Sequence, residues 1–273
     1  MLDYYQVQKE HDRKIKRVKR ITLFILFCIV IITGGIIGFF HTKYAIIQSV
    51  SVQASNSEFS NQIKDAFYQR LNDQNSFLKM IIKDNNIVRA FAIKDSIIKY
   101  ILDKFSFVNK ADVNVSILDG TVLINVTERD KYGLWCFVNS VSIEHQNKCY
   151  WFDKEGIVFL EGPNSQGQLL YKVIDSSREP INLGEKALSQ EKLSVLLGIF
   201  DFIGKTGFQY RTLYFSDKDL DEITTSKDET PLLRFSLRND PSYAIKAVNE
   251  FDEDKITKLK YINFTVPNRI YYQ

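Results

Sequence analysis

The sequence predicts an α+β protein: a single N-terminal transmembrane helix, then a mixed region of β-α-α-β-β order, then a β-rich C-terminal region with two helices. Three observations carry this. Residues 21–40 read ITLFILFCIVIITGGIIGFF, twenty positions without a charge. Beyond residue 43 the apolar spacing switches, block by block, between period two and period 3.6. Between two alternating runs stands Asp119-Gly120, a strong short-range hairpin signal.

The charge is unevenly placed. The net formal charge of the 273 residues is only +3, yet residues 1–20 hold Lys9, Arg13, Lys14, Lys16, Arg17, Lys19 and Arg20 against Asp3, Glu10 and Asp12. The remaining body is close to neutral, which argues against a nucleic-acid-binding surface and leaves a short basic tail, 1–20.

Residues 21–40 form the transmembrane helix, because twenty residues at about 1.5 Å each match a hydrocarbon core of about 30 Å. A buried core helix would show a polar face, and this stretch has none. A cleaved signal would end at a small-x-small site, which Phe39-Phe40-His41-Thr42-Lys43 lacks. An uncleaved anchor is expected, with the basic tail in the cytoplasm and 43–273 exported. Gly34 and Gly38 have the spacing that lets a second helix approach closely.

In the exported part, a first strand is expected from Tyr44, with Ile46, Gln48, Val50 and Val52 on one side. Ser55 and Glu58 then read as a capping box for a helix with Phe59, Ile63, Ala66, Phe67 and Leu71 at helical spacing. After a less regular stretch through Asn85 and Asn86, Asp95 is the expected cap of a second helix bearing Ile97, Ile98, Ile101, Leu102 and Phe105. A two-residue turn at Asp119-Gly120, with both residues at positive φ, would pair Ile117 with Val122, Val115 with Ile124 and Val113 with Val126.

Beyond Arg129 short strands are expected at Tyr132–Val138, Cys149–Phe152, Ile157–Leu160, Leu169–Ile174, Gln209–Ser216 and Leu232–Leu237. Ser189 caps a helix to Gly204 that buries Leu193, Leu196, Leu197, Phe200 and Ile203. Asp240-Pro241 starts another, burying Ala244, Ala247, Val248 and Phe251. Leu259–Val266, a Pro267-Asn268 turn and Ile270–Tyr272 close the chain. Cys136 and Cys149 fall in adjacent strands outside the membrane, where an oxidising compartment favours a disulfide; two unpaired thiols are the alternative. Cys28 lies in the span.

Several stretches resemble the FtsQ/DivIB family of bacterial cell-division proteins. KFSFVNKADVNVSILDGTVLINVTER is similar to that family's run from the second helix of its POTRA domain into the terminal hairpin, ending in a recurrent Glu128-Arg129. GLWC, CYWFDKEGIVF and YINFTVPNRIYY resemble its strands after that domain and its closing strands. Ser106 stands where the family often has proline. The resemblance implies a POTRA domain over 43–129 and a C-terminal β-domain over 130–273. It also implies a non-enzymatic role at the division septum in the cytoplasmic membrane, binding bitopic partners of the FtsB/FtsL type and helping couple septum assembly to peptidoglycan synthesis. The positions matching the family's partner-binding edge are Tyr261, Asn263, Thr265, Ile270, Tyr271 and Tyr272, with Arg269 as a carboxylate contact. A secretion or assembly component carrying such a domain, or an extracytoplasmic sensor, are the other classes in play.

No enzyme signature competes. Of three histidines only His145 lies in the exported body, and HExxH and GxSxG are absent. Gly204-Lys205-Thr206 lacks the first glycine of a phosphate loop, which would be at position 199, where Ile199 stands. Asp217 with Asp219 and Glu250 with Asp252 read as solvated turn charges. Neither cofactor, metal nor small-molecule substrate is expected. The sequons at Asn114, Asn125 and Asn263 fall within expected strands.

Overall fold

The computed structural model describes residues 2–40, 45–73, 85–138, 148–164, 169–177, 180–217, 220–226, 228–251, 256 and 258–273. The chain divides into two compact units, one of residues 1–103 with 110–127 and one of 104–109 with 128–273. The fold is mixed α+β, with one N-terminal apolar helix and a β-rich remainder carrying a few helices.

In the first unit, helix α1 runs without a break over Leu2–Phe40. Its stretch Lys16–Gly35 is long and apolar enough to cross a membrane, and none of it is buried as a core helix would be. A Cβ added at Gly34 or Gly38 would meet nothing within 4 Å, so that face of the helix is open.

Strand β1 (Ser49–Gln53) lies parallel to β3 (Thr121–Glu128), which sits between β1 and β2 (Val108–Ser116). Helix α2 (Ser57–Asn72) buries Ile63, Ala66, Phe67 and Leu71 of the stripe its spacing predicted, while Phe59, in its first turn, is only partly buried. Its cap is Asn56 rather than Ser55: the Asn56 Oδ1 accepts from the Glu58 N–H at 2.9 Å. Both residue types cap well, and the chain places the asparagine at the boundary.

The irregular stretch ends in a short helix the sequence reading missed, α3 (Ile87–Ala92), whose Asn86 Oδ1 accepts from the N–H groups of Val88 and Arg89. Helix α4 (Lys94–Lys104) buries Ile97 and Ile101, and Asp95 lies in its first turn instead of capping it. There its charge still complements the helix dipole. Leu102 is 37% exposed, so the buried stripe is narrower than expected.

The hairpin also differs from expectation. Strand β2 ends at Ser116 and β3 starts at Thr121, so Ile117 lies in the turn and outside the ladder that was to pair it with Val122. Only Gly120 has positive φ, at 66°, which excludes the two-residue turn that needs both Asp119 and Gly120 there. Asp119 instead accepts from the Ser116 hydroxyl at 2.6 Å. Gly120 also lets β1's leader pass: a Cβ there would stand 2.9 Å from the Gln48 side chain, while the Gln48 N–H donates to the Gly120 carbonyl at 2.8 Å.

Arg89 is 5% exposed, and its Nε, Nη1 and Nη2 have no hydrogen-bond partner among the described residues. A buried, unpaired guanidinium carries a desolvation cost that an apolar side chain of similar length avoids. Arg89→Met is therefore expected to stabilise the first unit by about 1–3 kcal/mol, read as a higher urea midpoint in the intact chain. A lower midpoint would mean that the guanidinium is held by groups outside the described residues.

The second unit is built on a sheet that, among the described residues, has nine strands. They are β4 (Gly133–Phe137), β5 (Lys148–Phe152), β6 (Val158–Glu161), β7 (Tyr171–Asp175), β8 (Thr212–Asp217), β9 (Glu222–Thr224), β10 (Leu232–Ser236), β11 (Tyr261–Asn263) and β12 (Tyr271–Tyr272). Their spatial order is β12-β11-β10-β9-β8-β7-β4-β5-β6. Helix α5 (Gln190–Lys205), capped by Ser189, packs Leu193, Leu196, Ile199, Phe200, Phe202 and Ile203 onto one face with Trp135, Phe152, Phe215, Phe235 and Phe264. Leu197 is only partly buried. The Lys205 ammonium pairs with Asp201 at 2.6 Å, so Gly204-Lys205-Thr206 simply ends a helix.

On the other face Leu134, Cys136 and Cys149 form a small apolar cluster, and Cys136 and Cys149, directly opposite on β4 and β5, are disulfide-bonded. The helix expected after Asp240 opens as a 3₁₀ turn, Pro241–Ala244, before α6 (Ile245–Asn249). At 3.0 residues per turn the opening shifts the phase, so Ala244 and Val248 are buried while Ala247 faces solvent. Strand β9 was not foreseen, and Leu169, expected in a strand, lies before β7 and is 95% exposed. Asp219, Asp252 and residues 74–84 lie outside the described residues.

Asp221 begins the β9 turn at φ 54° and is 5% exposed. Its carboxylate accepts from the Lys192 ammonium of α5 and, at 3.0 Å, from Arg238 Nε after β10. Burial alone would raise its pKa, but the hydrogen bonds and charges of Lys192 and Arg238 outweigh that and hold it below the ordinary 3.8. The folded value being depressed, the contribution to stability is complete above the ordinary aspartate range and is lost as pH falls through the lower folded value. Asp221→Asn keeps a residue that tolerates positive φ and removes only the charge. Because both cations are partly solvated, a loss of about 1–2 kcal/mol is expected at neutral pH, shrinking toward zero below the folded pKa.

Candidate functional site

A β-sheet that is not closed ends in two strands whose outer backbone groups face away from the sheet, and each end must be covered, blunted or used. The two ends of the nine-stranded sheet differ. At β6 the Val158 N–H donates to the Glu185 carbonyl at 3.0 Å, and the Gly184 N–H donates to the Val158 carbonyl at 2.7 Å. Segment 184–187 covers that end.

At the other end β12 pairs antiparallel with β11, Ile262 opposite Tyr272 and Asn263 opposite Tyr271. Gln273 bonds inward, its N–H donating to the Tyr261 carbonyl at 3.3 Å and its own carbonyl accepting from the Lys260 N–H at 2.5 Å. Backbone groups alternate along an antiparallel strand, so those of Tyr272 face outward.

The sequence folds locally to hold this edge firmly. Ile262 and Phe264 are fully buried and anchor β11 in the core. Asn268 takes φ 58° in the turn, and the Tyr243 hydroxyl, from the 3₁₀ turn, donates to the carbonyls of Val266 and Arg269 at 3.0 and 2.9 Å. Asn239 Nδ2 holds the Thr265 carbonyl at 2.9 Å, and Asn263 Oδ1 accepts from the Thr265 N–H at 2.8 Å.

Of the expected partner-binding residues, the structure brings Tyr261, Asn263, Arg269, Tyr271 and Tyr272 to the edge. Tyr271 and Tyr272 are 44% and 56% exposed. As neighbours on a strand they point to opposite faces, so a strand added beyond β12 would meet one aromatic ring on each. Tyr272 stands edge-on to Phe251, with ring centroids 5.4 Å apart. Arg269 Nη1 reaches the Tyr271 hydroxyl at 3.4 Å, and that bond raises the already high pKa of the exposed guanidinium. Ile270 packs against the core, and Thr265 is occupied in the turn; both support the edge from behind.

Sequence reasoning missed Arg234, whose guanidinium stands 5.5 Å over the Tyr261 ring. It lies on β10 across from Asn263, in a parallel pairing that local sequence does not announce. No protein-family model matches the chain, and no curated protein matches it in sequence.

Proposed function

We propose that this chain is a non-enzymatic scaffold of the FtsQ/DivIB type, anchored by α1 with its basic tail in the cytoplasm and working on the far side of the membrane at the division septum. On this reading the β1-α2-α4-β2-β3 part of the first unit serves as a POTRA domain. The second unit receives bitopic partners of the FtsB/FtsL type.

The observation that carries the proposal is the asymmetry of the nine-stranded sheet among the described residues, one end covered by the chain's own segment 184–187 and the other ending in the outward-facing backbone of Tyr272. A partner segment added there would gain main-chain hydrogen bonds for affinity, with Tyr271 and Tyr272 reading alternate side chains for specificity. The test is affinity capture of the full chain from native membranes. Small bitopic coiled-coil division proteins are expected in the eluate; their absence, with other envelope machinery in their place, would overturn the proposal.

A further inference from the structure

We propose that the last basic turns of α1 and the groove beside them bind anionic phospholipid, the phosphate held by Lys16, Arg17, Lys19 and Arg20 and an acyl chain lying along the span. All four basic side chains are exposed. None makes an ion pair among the described residues. Of the four only Lys16 has an acidic residue four positions away, Asp12.

Helix geometry concentrates these charges. At 3.6 residues per turn the four positions fall within roughly 160° of arc, and Lys16 lies about 6 Å from Arg20 along the axis. All four therefore sit within about one Debye length of the apolar boundary, which is about 8 Å at physiological salt. Lys16 with Lys19, Lys16 with Arg20, and Arg17 with Arg20 are neighbours at the three- and four-residue spacings, where like charges oppose the helix. A phosphate set among them turns that repulsion into charge-assisted hydrogen bonds, which the arginine fork makes two at a time.

The groove supplies the second half of the site. Arg20, Leu23, Phe24, Leu26, Phe27 and Val30 line a shallow, open furrow along one face of α1. Its one charged wall is Arg20 at the basic end, and the rest is aliphatic and aromatic, the polarity profile of a lipid with an anionic head. The helix passes from the basic turns into this groove without interruption, and the Thr22 hydroxyl is satisfied by the Val18 carbonyl at 3.0 Å.

The proposal rests on the membrane reading of α1 and is independent of the division reading. The full chain would be reconstituted in phosphatidylcholine vesicles, and the motional restriction of spin-labelled phosphatidylglycerol compared with that of spin-labelled phosphatidylcholine. A preference of about fivefold or more for phosphatidylglycerol is expected, since each basic residue near an anionic surface is worth about that factor. It should fall with added salt, drop to about one in Lys16→Gln/Arg17→Gln/Lys19→Gln/Arg20→Gln, and persist in Lys16→Arg/Lys19→Arg. Both leaflets have the same composition, so a change of orientation leaves the readout intact.

Equal restriction of the two lipids by the wild-type chain, or an unchanged preference in the fourfold glutamine variant, overturns the proposal. So does displacement of the lipid by inorganic phosphate beyond that caused by chloride at equal ionic strength, which would assign the site to free phosphate. Failure of the chain to float with vesicles at all would instead overturn the membrane reading beneath it.

Discussion

Tyr272→Pro is expected to weaken capture of FtsB/FtsL-type partners by roughly 30-fold or more while lowering the melting of the second unit by only a few degrees, the share of its ring contact with Phe251. The inward ladder of β12 runs through Gln273, whose N–H and carbonyl bond to Tyr261 and Lys260, so proline at 272 removes an outward donor and no inward one. Loss of one main-chain hydrogen bond together with an aromatic anchor amounts to about 2–3 kcal/mol, which sets the factor. Tyr272→Ala keeps the N–H and loses the ring, so it should fall between wild type and proline. Capture of wild-type strength by the proline variant would place the partner elsewhere on the chain.

Arg129→Leu is expected to cost the second unit about 3 kcal/mol, a fall in melting temperature of about 6–12 °C for a domain of this size. Arg129 Nη1 lies 2.7 Å from the Asp153 carboxylate, with side chains 15% and 7% exposed, and Nε donates to the Ser106 carbonyl at 3.0 Å. Asp153 is committed to its own turn, its Oδ1 accepting from the N–H groups of Glu155 and Ile157. Removing the arginine would leave a buried carboxylate without its cation, whereas the second contact, to the exposed Glu155 at 3.3 Å, adds little. Arg129→Lys should lose about half as much, because a lysine cannot span both acceptors. An unchanged melting temperature for Arg129→Leu would show that the turn is held by its backbone alone.

That clamp marks what the sequence could and could not disclose. Glu128-Arg129 stands out as a recurrent pair in the resembling family, but Asp153 lies beyond both β4 and β5, and no local pattern connects them. Ser106 uses its hydroxyl to donate to the Phe159 carbonyl at 2.8 Å, again across a long sequence gap. Helices were legible because a stripe such as Ile63, Ala66, Phe67 and Leu71 is written within one element. The caps Ser189 and Asp240 were legible too, whereas at α2 two neighbouring residues could both cap, and Asn56 does so where Ser55 was expected.

The sheet's order was not legible. Strand β4 pairs in parallel with β7 and antiparallel with β5, and β10 pairs in parallel with β11, arrangements set by tertiary packing. For the candidate edge, the exposed tyrosines could be named from the chain's closing pattern. Which of their neighbours merely hold the edge, Ile270 and Thr265 among them, depended on contacts from the 3₁₀ turn and β10.

The proposed contact is the addition of a division partner's backbone to β12. It is tested most directly by placing a photo-crosslinking benzoylphenylalanine at position 272 of the full chain, in cells, and identifying what it captures. The expected products are one or two small bitopic coiled-coil proteins of the septum, captured also by an intact chain carrying the crosslinker at Tyr261 and lost from that position when Arg269–Gln273 is deleted. Crosslinks at position 272 only to lipid or to proteins unconnected with division would contradict it.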